Sequence, residues 1–412
     1  MEVLFDSCCG IDVHKKTLTA CIMIGKDGKI TKKEIRTFST MTEALEEFRD
    51  WLKSEGVTHV AIESTGIYWR PVYNILENDV EVILANARHI KNVPGRKTDV
   101  ADSEWLCKLL RNGLIQGSFI PPRHIRQLRD LTRYRSRLNN NIAAEKNRLQ
   151  KYLEDANIKL SSVATDTLGV SGRRMIREII RGNRDRDSLS ELAKGRLRSK
   201  IEELKKSFNS RITEHHRMLI EMSLKHIEYI EEMIEKLEME MDGLIKERKL
   251  DEAVELLDTI PGVDKIGASI IIAETGADMS KFPSASHLSS WAGMSPGNNE
   301  SAGKKKSGRT TSGDKWIKAG LVQCALSASR TKNTYLRDKY HRLAGRRGKK
   351  KAAIAIGHKI LVMAYHILKD RIGYKELGAD YLDRRNKEKV KMYHINKLIH
   401  LGFNVSLEAQ GA

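Results

Sequence analysis

The sequence predicts an α/β domain at the N-terminus, then long helices, then a mainly α C-terminal region. Three observations predict it. Short apolar runs up to Ala85 have strand length and are bounded by turn residues. From Pro121 to Lys369 apolar residues recur at helical spacing instead. Acids stand at the ends of the early elements: Asp12, Glu63, Asp99 and Asp102.

Taken in order, residues 6–37 read as three strands. The first runs to Asp12 and Val13, the second covers Leu18 to Ile24, and the third covers Lys29 to Thr37 after a turn at Gly25 to Gly28. Thr42 to Ser54 is an amphipathic helix with Leu45, Phe48 and Leu52 on one face. Strand four covers Val57 to Ile62, carries Glu63 at its end, and is broken by Ser64 to Gly66. A helix from Tyr68 to Glu77 and a strand from Val80 to Ala85 follow. A basic loop (Arg88, His89, Lys91, Arg96, Lys97) then leads into a helix from Asp99 through Arg111. The order βββ-α-β-α-β-α is that of the RNase H-like fold, in which acids sit on strand one, strand four and the last helix. The domain is expected to span residues 1–118.

Singly, each acid has an ordinary reading. Asp12 suits a turn, and Asp99 suits a helix N-cap with Asp102 in its first turn. Jointly they form a pattern with chemistry. Asp99 and Asp102, three apart on a helix, share a face; with Asp12 and Glu63 they can converge on hard divalent cations, Mg²⁺ or Mn²⁺. Two such ions about 4 Å apart polarise a phosphodiester and stabilise both the attacking and the leaving oxygen.

After Pro121 and Pro122 a first long helix carries the stripe Leu128, Leu131, Leu138, Ile142, Leu149, Tyr152. It is dense in cations (Arg126, Arg129, Arg133, Arg135, Arg137, Lys146, Arg148), a face read as a nucleic-acid backbone contact. A second long helix is expected from Gly195, striped by Leu197 to Ile212, stuttering, and resuming from Ile227 to Leu244 in a coiled-coil-like alternation. Residues 119–250 are therefore expected to form a helical, coiled-coil linker. Ile260 to Ala268 matches the turn of a helix-hairpin-helix, with Gly262 making the turn and Gly267 offering free N–H groups to phosphate; an ordinary αα-hairpin fits the same residues. A polar, basic loop from Trp291 to Arg309 carries Ser301 and Ser307 among Lys304, Lys305, Lys306 and Arg309. Helices are expected at Trp316 to Ser329, Thr334 to Leu343 and Lys351 to Lys369. The C-terminal domain is placed at 251–375 and a basic helical tail at 376–412.

Composition narrows the partners. The 412 residues hold 73 Lys and Arg against 54 Asp and Glu, a formal charge of +19, which favours a polyanion. Apolar runs such as Ala268 to Ala273 are too short to span a bilayer, so no membrane is expected. Five cysteines without a Cys-x-x-Cys pair suit a reducing cytoplasm, with Cys8 and Cys9 as buried apolar residues.

The motifs Gly10 to Lys15 (GIDVHK), Ala61 to Gly66 (AIESTG), Lys97 to Asp102 (KTDVAD), Ile260 to Val263 (IPGV) and Pro296 to Gly303 (PGNNESAG) resemble the bacterial transposases of the insertion sequence one-ten family. The likeness runs in order from about residue 6 to residue 370. It implies a RuvC-like domain in which Asp12, Glu63, Asp99 and Asp102 hold metal, and a C-terminal transposase domain in which Ser301 is the nucleophile. It also implies an element-encoded guide non-coding RNA that pairs with donor and target DNA. Strand exchange requires several active sites and the long helices offer an assembly surface, so a homo-oligomer (dimer or tetramer) is expected, in a cytoplasmic, nucleoid-associated location. Two departures stand out. Ser301 is followed by Ala302 where some members have glycine, which keeps Ser307 as a second candidate nucleophile. Lys318 replaces an arginine common in the family, so a phosphate clamp is not carried onto it. The alternative function is a Mg-dependent, RuvC-like junction resolvase in which water attacks.

Overall fold

The computed structural model describes residues 3–407 except 27, 65, 86–98, 116, 298, 302, 303 and 308, and describes only the backbone of 99–101, 299–301 and 304–307. The basic loop from Arg88 to Lys97 lies outside the described residues. The chain divides into two compact units, residues 1–120 and 121–412.

The first unit is a five-stranded sheet in the order β3-β2-β1-β4-β5, from β1 (Ser7–Val13), β2 (Thr17–Ile24), β3 (Lys32–Ser39), β4 (His59–Glu63) and β5 (Glu81–Ala85). The first three strands are antiparallel, while β4 and β5 join β1 in parallel. This mixed sheet is compatible with the expected RNase H-like domain. Its helices are α1 (Thr42–Ser54), α2 (Trp69–Leu76) and α3 (Asp99–Arg111). Strand alternation sorts the side chains onto two faces. Cys9, Ile11, Leu18, Ile22, Val60 and Ile62 pack with Leu45, Phe48 and Leu52 of α1 and Val72 and Leu76 of α2. Cys8, Cys21, Met23 and Ala61 pack with Cys107 and Leu110 of α3. The third strand begins at Lys32 rather than Lys29 because Thr31 N–H closes the preceding turn on Ile24 O (2.8 Å).

The second unit opens with α4 (Arg123–Asp155) and continues through α5 (Leu160–Val163), α6 (Val170–Ile180), α7 (Arg186–Glu191), a 3-10 turn (Gly195–Lys200), α8 (Ile201–Ser207) and α9 (Glu214–Glu247). The single helix expected from Gly195 is therefore broken. Its stutter is the break: Arg211 N–H donates to Ala156 O (2.9 Å) and the chain restarts on a capping box between Thr213 and His216. α4 and α9 pair with each other, antiparallel. Ion pairs join Asp155 to His216, Glu145 to His226 and Arg135 to Glu238, flanking a core that includes Leu138, Ile142, Leu149, Ile220, Ile227 and Ile234.

Beyond lie α10 (Asp251–Asp258), α11 (Lys265–Thr275), α12 (Ala285–Trp291), the hairpin β6 (Asn299–Ser301) and β7 (Lys304–Ser307), α13 (Lys315–Ala328), α14 (Tyr335–Arg347), α15 (Lys349–Asp370), α16 (Tyr381–Arg385) and α17 (Lys387–His400). The serine loop is thus a two-stranded hairpin, with Ser301 paired to Lys304. α15 is long and apolar enough to cross a membrane by length and composition, which the short runs of the sequence did not suggest. It is a core helix: Ala353, Ile356, Ile360, Leu361, Ala364 and Leu368 are buried, against α13 and α14 among others.

Candidate metal centre and serine hairpin

The candidate centre is built by one close approach. Gly10 of β1 lies under α3 so tightly that a Cβ there would stand 2.3 Å from both Ser103 O and Cys107 N. Only glycine lets helix and strand meet at this distance. The crossing also fixes a register. Arg111 O accepts from Leu4 N–H (2.9 Å), Cys8 Sγ sits 3.6 Å from Cys107 Sγ, and Gly10 meets Ser103. Each step along β1 therefore moves towards the N-terminus of α3. Asp12, two residues past Gly10, is about 6.6 Å further on, which corresponds to about four helical residues. The turn of α3 towards which β1 advances is the one containing Asp99 and Asp102.

Glu63 arrives by sheet register. Gly10 pairs with Ala61 and Ile11 with Ile62 across the parallel strands, and Asp12 and Glu63 are the residues that follow this last pair on each strand. Both share the parity of Cys8 and Ala61, and so stand on the face that α3 covers. Asp12 is largely enclosed, with Oδ2 3.3 Å from His14 Nε2, while His14 is mostly exposed. Asp102 and Glu63 are half-buried. Asp99 occupies the helical position one turn before Ser103; its side chain lies outside the described residues.

Several contacts hold α3 in place. The buried Arg111 donates to Gly25 O (2.8 Å) and Asp6 O (3.2 Å). Glu104 pairs with Lys33 of β3 (2.7 Å) and with Lys108 (2.5 Å), both of which hold its carboxyl below the usual range. The sequence reading did not single out Gly10 or Arg111 for this role; the glycine two residues before Asp12 was the available signal. Among the described residues no three His, Cys, Asp or Glu side chains are already gathered tightly enough to hold an ion. The donor set, all carboxylate on adjoining strand ends and a facing helix, does suit a hard cation.

In the second unit the sequence-predicted residues sort differently. Ser301 is in β6 and Ser307 in β7, with side chains outside the described residues. The Gly267 N–H, expected to be free, donates to Asp264 Oδ1, the cap of its helix (2.7 Å). Gly262 (φ +87°) is pressed against α13, where a Cβ would lie 2.3 Å from Ala328 N. This turn is therefore packed as an αα-hairpin against a neighbouring helix. The Arg-rich face of α4 is also largely committed within the protein. Arg129 donates to Ala273 O (2.9 Å) and Glu274 O (2.7 Å). Arg133 holds the buried Glu274 with two 2.7 Å bonds and reaches Asp314 (3.1 Å). Arg135 and Arg148 pair with Glu238 and Glu145. Acids 103 to 181 residues away in sequence can neutralise an arginine stripe, and helical spacing alone carries no trace of them.

Comparison with known proteins joins these two regions. Residues 9–158 match a DEDD transposase family model described as "Transposase", and residues 254–341 match one described as "Transposase IS116/IS110/IS902 family". Between them the two models take in more than half of the chain, and each covers one of the two candidate regions. A curated protein of Sinorhizobium fredii (strain NBRC 101917 / NGR234), "Putative transposase y4pF/y4sB", is 29% identical over 144 residues, 33% of this chain and 36% of that protein. The match thus spans little more than a third of the relative's length. With both family models matched in order along a single chain, the protein belongs to the IS110 family of transposases.

Proposed function

We propose that this chain is a DNA transposase that holds Mg²⁺ or Mn²⁺ on Asp12, Glu63, Asp99 and Asp102 and uses Ser301 as its nucleophile. One observation supports the metal reading: Asp12 and Glu63 each follow the parallel pair Ile11–Ile62 and share the strand parity of Cys8 and Ala61, which pack with α3. Ions bound there would polarise a DNA phosphate and stabilise the charge of its transition state. Strand ends and a clamped helix give the carboxylates a rigid frame, as precise metal chemistry requires.

In the proposed step Ser301 Oγ bonds to the phosphorus of one DNA strand and gives up its proton to solvent. The bond from phosphorus to the leaving strand breaks, and that strand departs as a hydroxyl. A phosphoserine ester remains, conserving the linkage energy. The hydroxyl of a new strand then attacks the same phosphorus and releases Ser301, so no nucleotide triphosphate is consumed. The acids and the serine belong to different units, and the chemistry requires them to meet, within one chain or between chains of a homo-oligomer. The charge of +19 supports donor and target DNA as partners, and the family resemblance supports a guide RNA encoded by the element.

A covalent-trapping gel tests the nucleophile. Wild-type protein with Mg²⁺ and DNA bearing the element's end should give a protein–DNA adduct that Ser301→Ala lacks. An adduct that survives Ser301→Ala removes the serine from the mechanism. Strand cleavage without any adduct would favour attack by water.

A further inference from the structure

The hairpin that carries Ser301 is rooted on the second unit by a paired stem. Below β6 and β7, Gly297 N–H donates to Arg309 O (2.8 Å) and Thr311 N–H to Ser295 O (3.2 Å), and Pro296 bridges Thr310. At the foot of the stem Gly293 and Gly313 touch: a Cβ on Gly313 would lie 2.1 Å from Gly293 N. One side chain reaches both legs. Lys318, half-buried on α13, donates from Nζ to Gly293 O (3.2 Å) on the rising leg and to Thr310 Oγ1 (2.5 Å) on the returning one. α13 is itself fixed at that end. Asp314 caps it by accepting from Trp316 N–H (2.7 Å) and Ile317 N–H (3.0 Å), and Arg133 holds Asp314 from α4.

We propose that Lys318 is a positioning residue, which sets the angle at which the stem presents Ser301. The proposal rests on the reading of Ser301 as nucleophile. Leverage gives it weight. Ser301 lies four residues beyond Gly297 in the sequence, a reach of at most about 13 Å. A tilt of about 5° at the stem would move Ser301 by about 1 Å, and misplacement on that scale can cost a reaction on the order of 100-fold. The ammonium spends two of its three donors on the stem, so its first task is internal rather than contact with phosphate. Arginine, with a planar fork of donors, can make the same two bonds.

The experiment uses the full chain with Mg²⁺ and a DNA duplex bearing the element's end. Lys318→Met, Lys318→Arg and Lys318→Met with Thr310→Val are compared with wild type in two measurements. Amide exchange at Gly297 and Thr311 reads the stem, and the rate of adduct formation against DNA concentration reads the chemistry. Expected for Lys318→Met are exchange at least about tenfold faster and a saturating adduct rate about 10- to 100-fold lower, at an unchanged half-saturating DNA concentration. Lys318→Arg should restore both, and Thr310→Val should add nothing to Lys318→Met. A Lys318→Met protein with wild-type exchange and saturating rate but weakened DNA affinity would make the lysine a DNA contact and overturn the proposal. So would a loss that Lys318→Arg fails to restore. An adduct that survives Ser301→Ala fails the nucleophile reading instead, and is told apart because the exchange data still report whether the clamp exists.

Discussion

Gly10→Ala tests the crossing on which the candidate metal centre depends. The new Cβ would stand 2.3 Å from Cys107 N and Ser103 O and 2.9 Å from Cys107 Cα. All three are backbone atoms, so no side-chain rotation relieves the clash. Restoring ordinary contact near 3.4 Å requires β1 and α3 to part by about 1 Å, and overpacking of this kind costs about 1–3 kcal/mol. The movement is directed. Arg111 ties the C-terminal end of α3 to the carbonyls of Asp6 and Gly25, so the displacement falls on the turn holding Asp99 and Asp102. Two measurements on purified protein follow: guanidinium unfolding, and Mn²⁺ binding by calorimetry. The variant should lose about 1–3 kcal/mol and bind Mn²⁺ at least about tenfold more weakly. Gly243→Ala is the control, since nothing lies within 4 Å of its Cβ on a helix; it should gain up to about 1 kcal/mol. A Gly10→Ala protein with wild-type stability and wild-type Mn²⁺ affinity would refute the register argument.

Two further predictions concern the second unit. Arg133→Met leaves Glu274, only 1% exposed, with Arg129 at 3.2 Å as its remaining ion-pair partner; removing one side of such a buried pair costs about 3–5 kcal/mol, and a denaturation midpoint within error of wild type would show the pair to be dispensable. His358 gives a pH signature: burial, with Lys359 and Lys339 nearby, holds its imidazole below the ordinary value of 6.5. The unfolded chain then takes up a proton near pH 6.5 that the folded one refuses. Stability should fall as pH drops from 6.5 towards the depressed folded value and level off below it. His358→Gln should flatten that segment of the profile, and an unaltered slope would refute the assignment.

How much was legible depends on the range of the interaction concerned. The helix from Thr42 to Ser54 and the Asp99–Arg111 helix follow from local periodicity, and the structure has them with those bounds. The mixed sheet follows from the order of short elements. Burial of Cys8 and Cys9 follows from their type. Partners brought from far along the chain were not legible. The stripe after Gly195 reads as one helix until Thr213 and His216 cap a new one. The arginines of α4 read as a nucleic-acid-facing row until Glu274 and Glu238 arrive to meet them. Gly267 reads as a free helix N-terminus, although Asp264 three residues earlier was a visible cap. In the N-terminal unit the sequence named the acids but not the close approach of β1 to α3 at Gly10, because a strand–helix crossing at a single glycine has no periodic signature.

The proposed metal site carries an energetic consequence that separates it from a chance set of acids. Asp12 and Glu63 each follow the parallel pair Ile11–Ile62, so like charges extend from the same ends of adjoining strands, which disfavours the folded state. Asp12 Oδ2 lies 3.3 Å from Nε2 of the mostly exposed His14, a contact weakened by solvent screening. A cation bound to the carboxylates in the folded state alone would reverse the balance, stabilising the unit by about 2.7 kcal/mol at a hundred times its Kd. Wild-type protein should therefore unfold at a higher temperature as Mg²⁺ is added, with Ca²⁺ and Mn²⁺ acting likewise at their own affinities. Asp12→Asn should unfold no lower than wild type in EDTA, because a repulsion has gone, and should gain little when Mg²⁺ is restored. A carboxylate kept only to cap a turn behaves in the opposite way: its amide variant would lose stability in EDTA and respond to Mg²⁺ as wild type does. That outcome would leave the acids as ordinary structural residues, whatever DNA the protein binds.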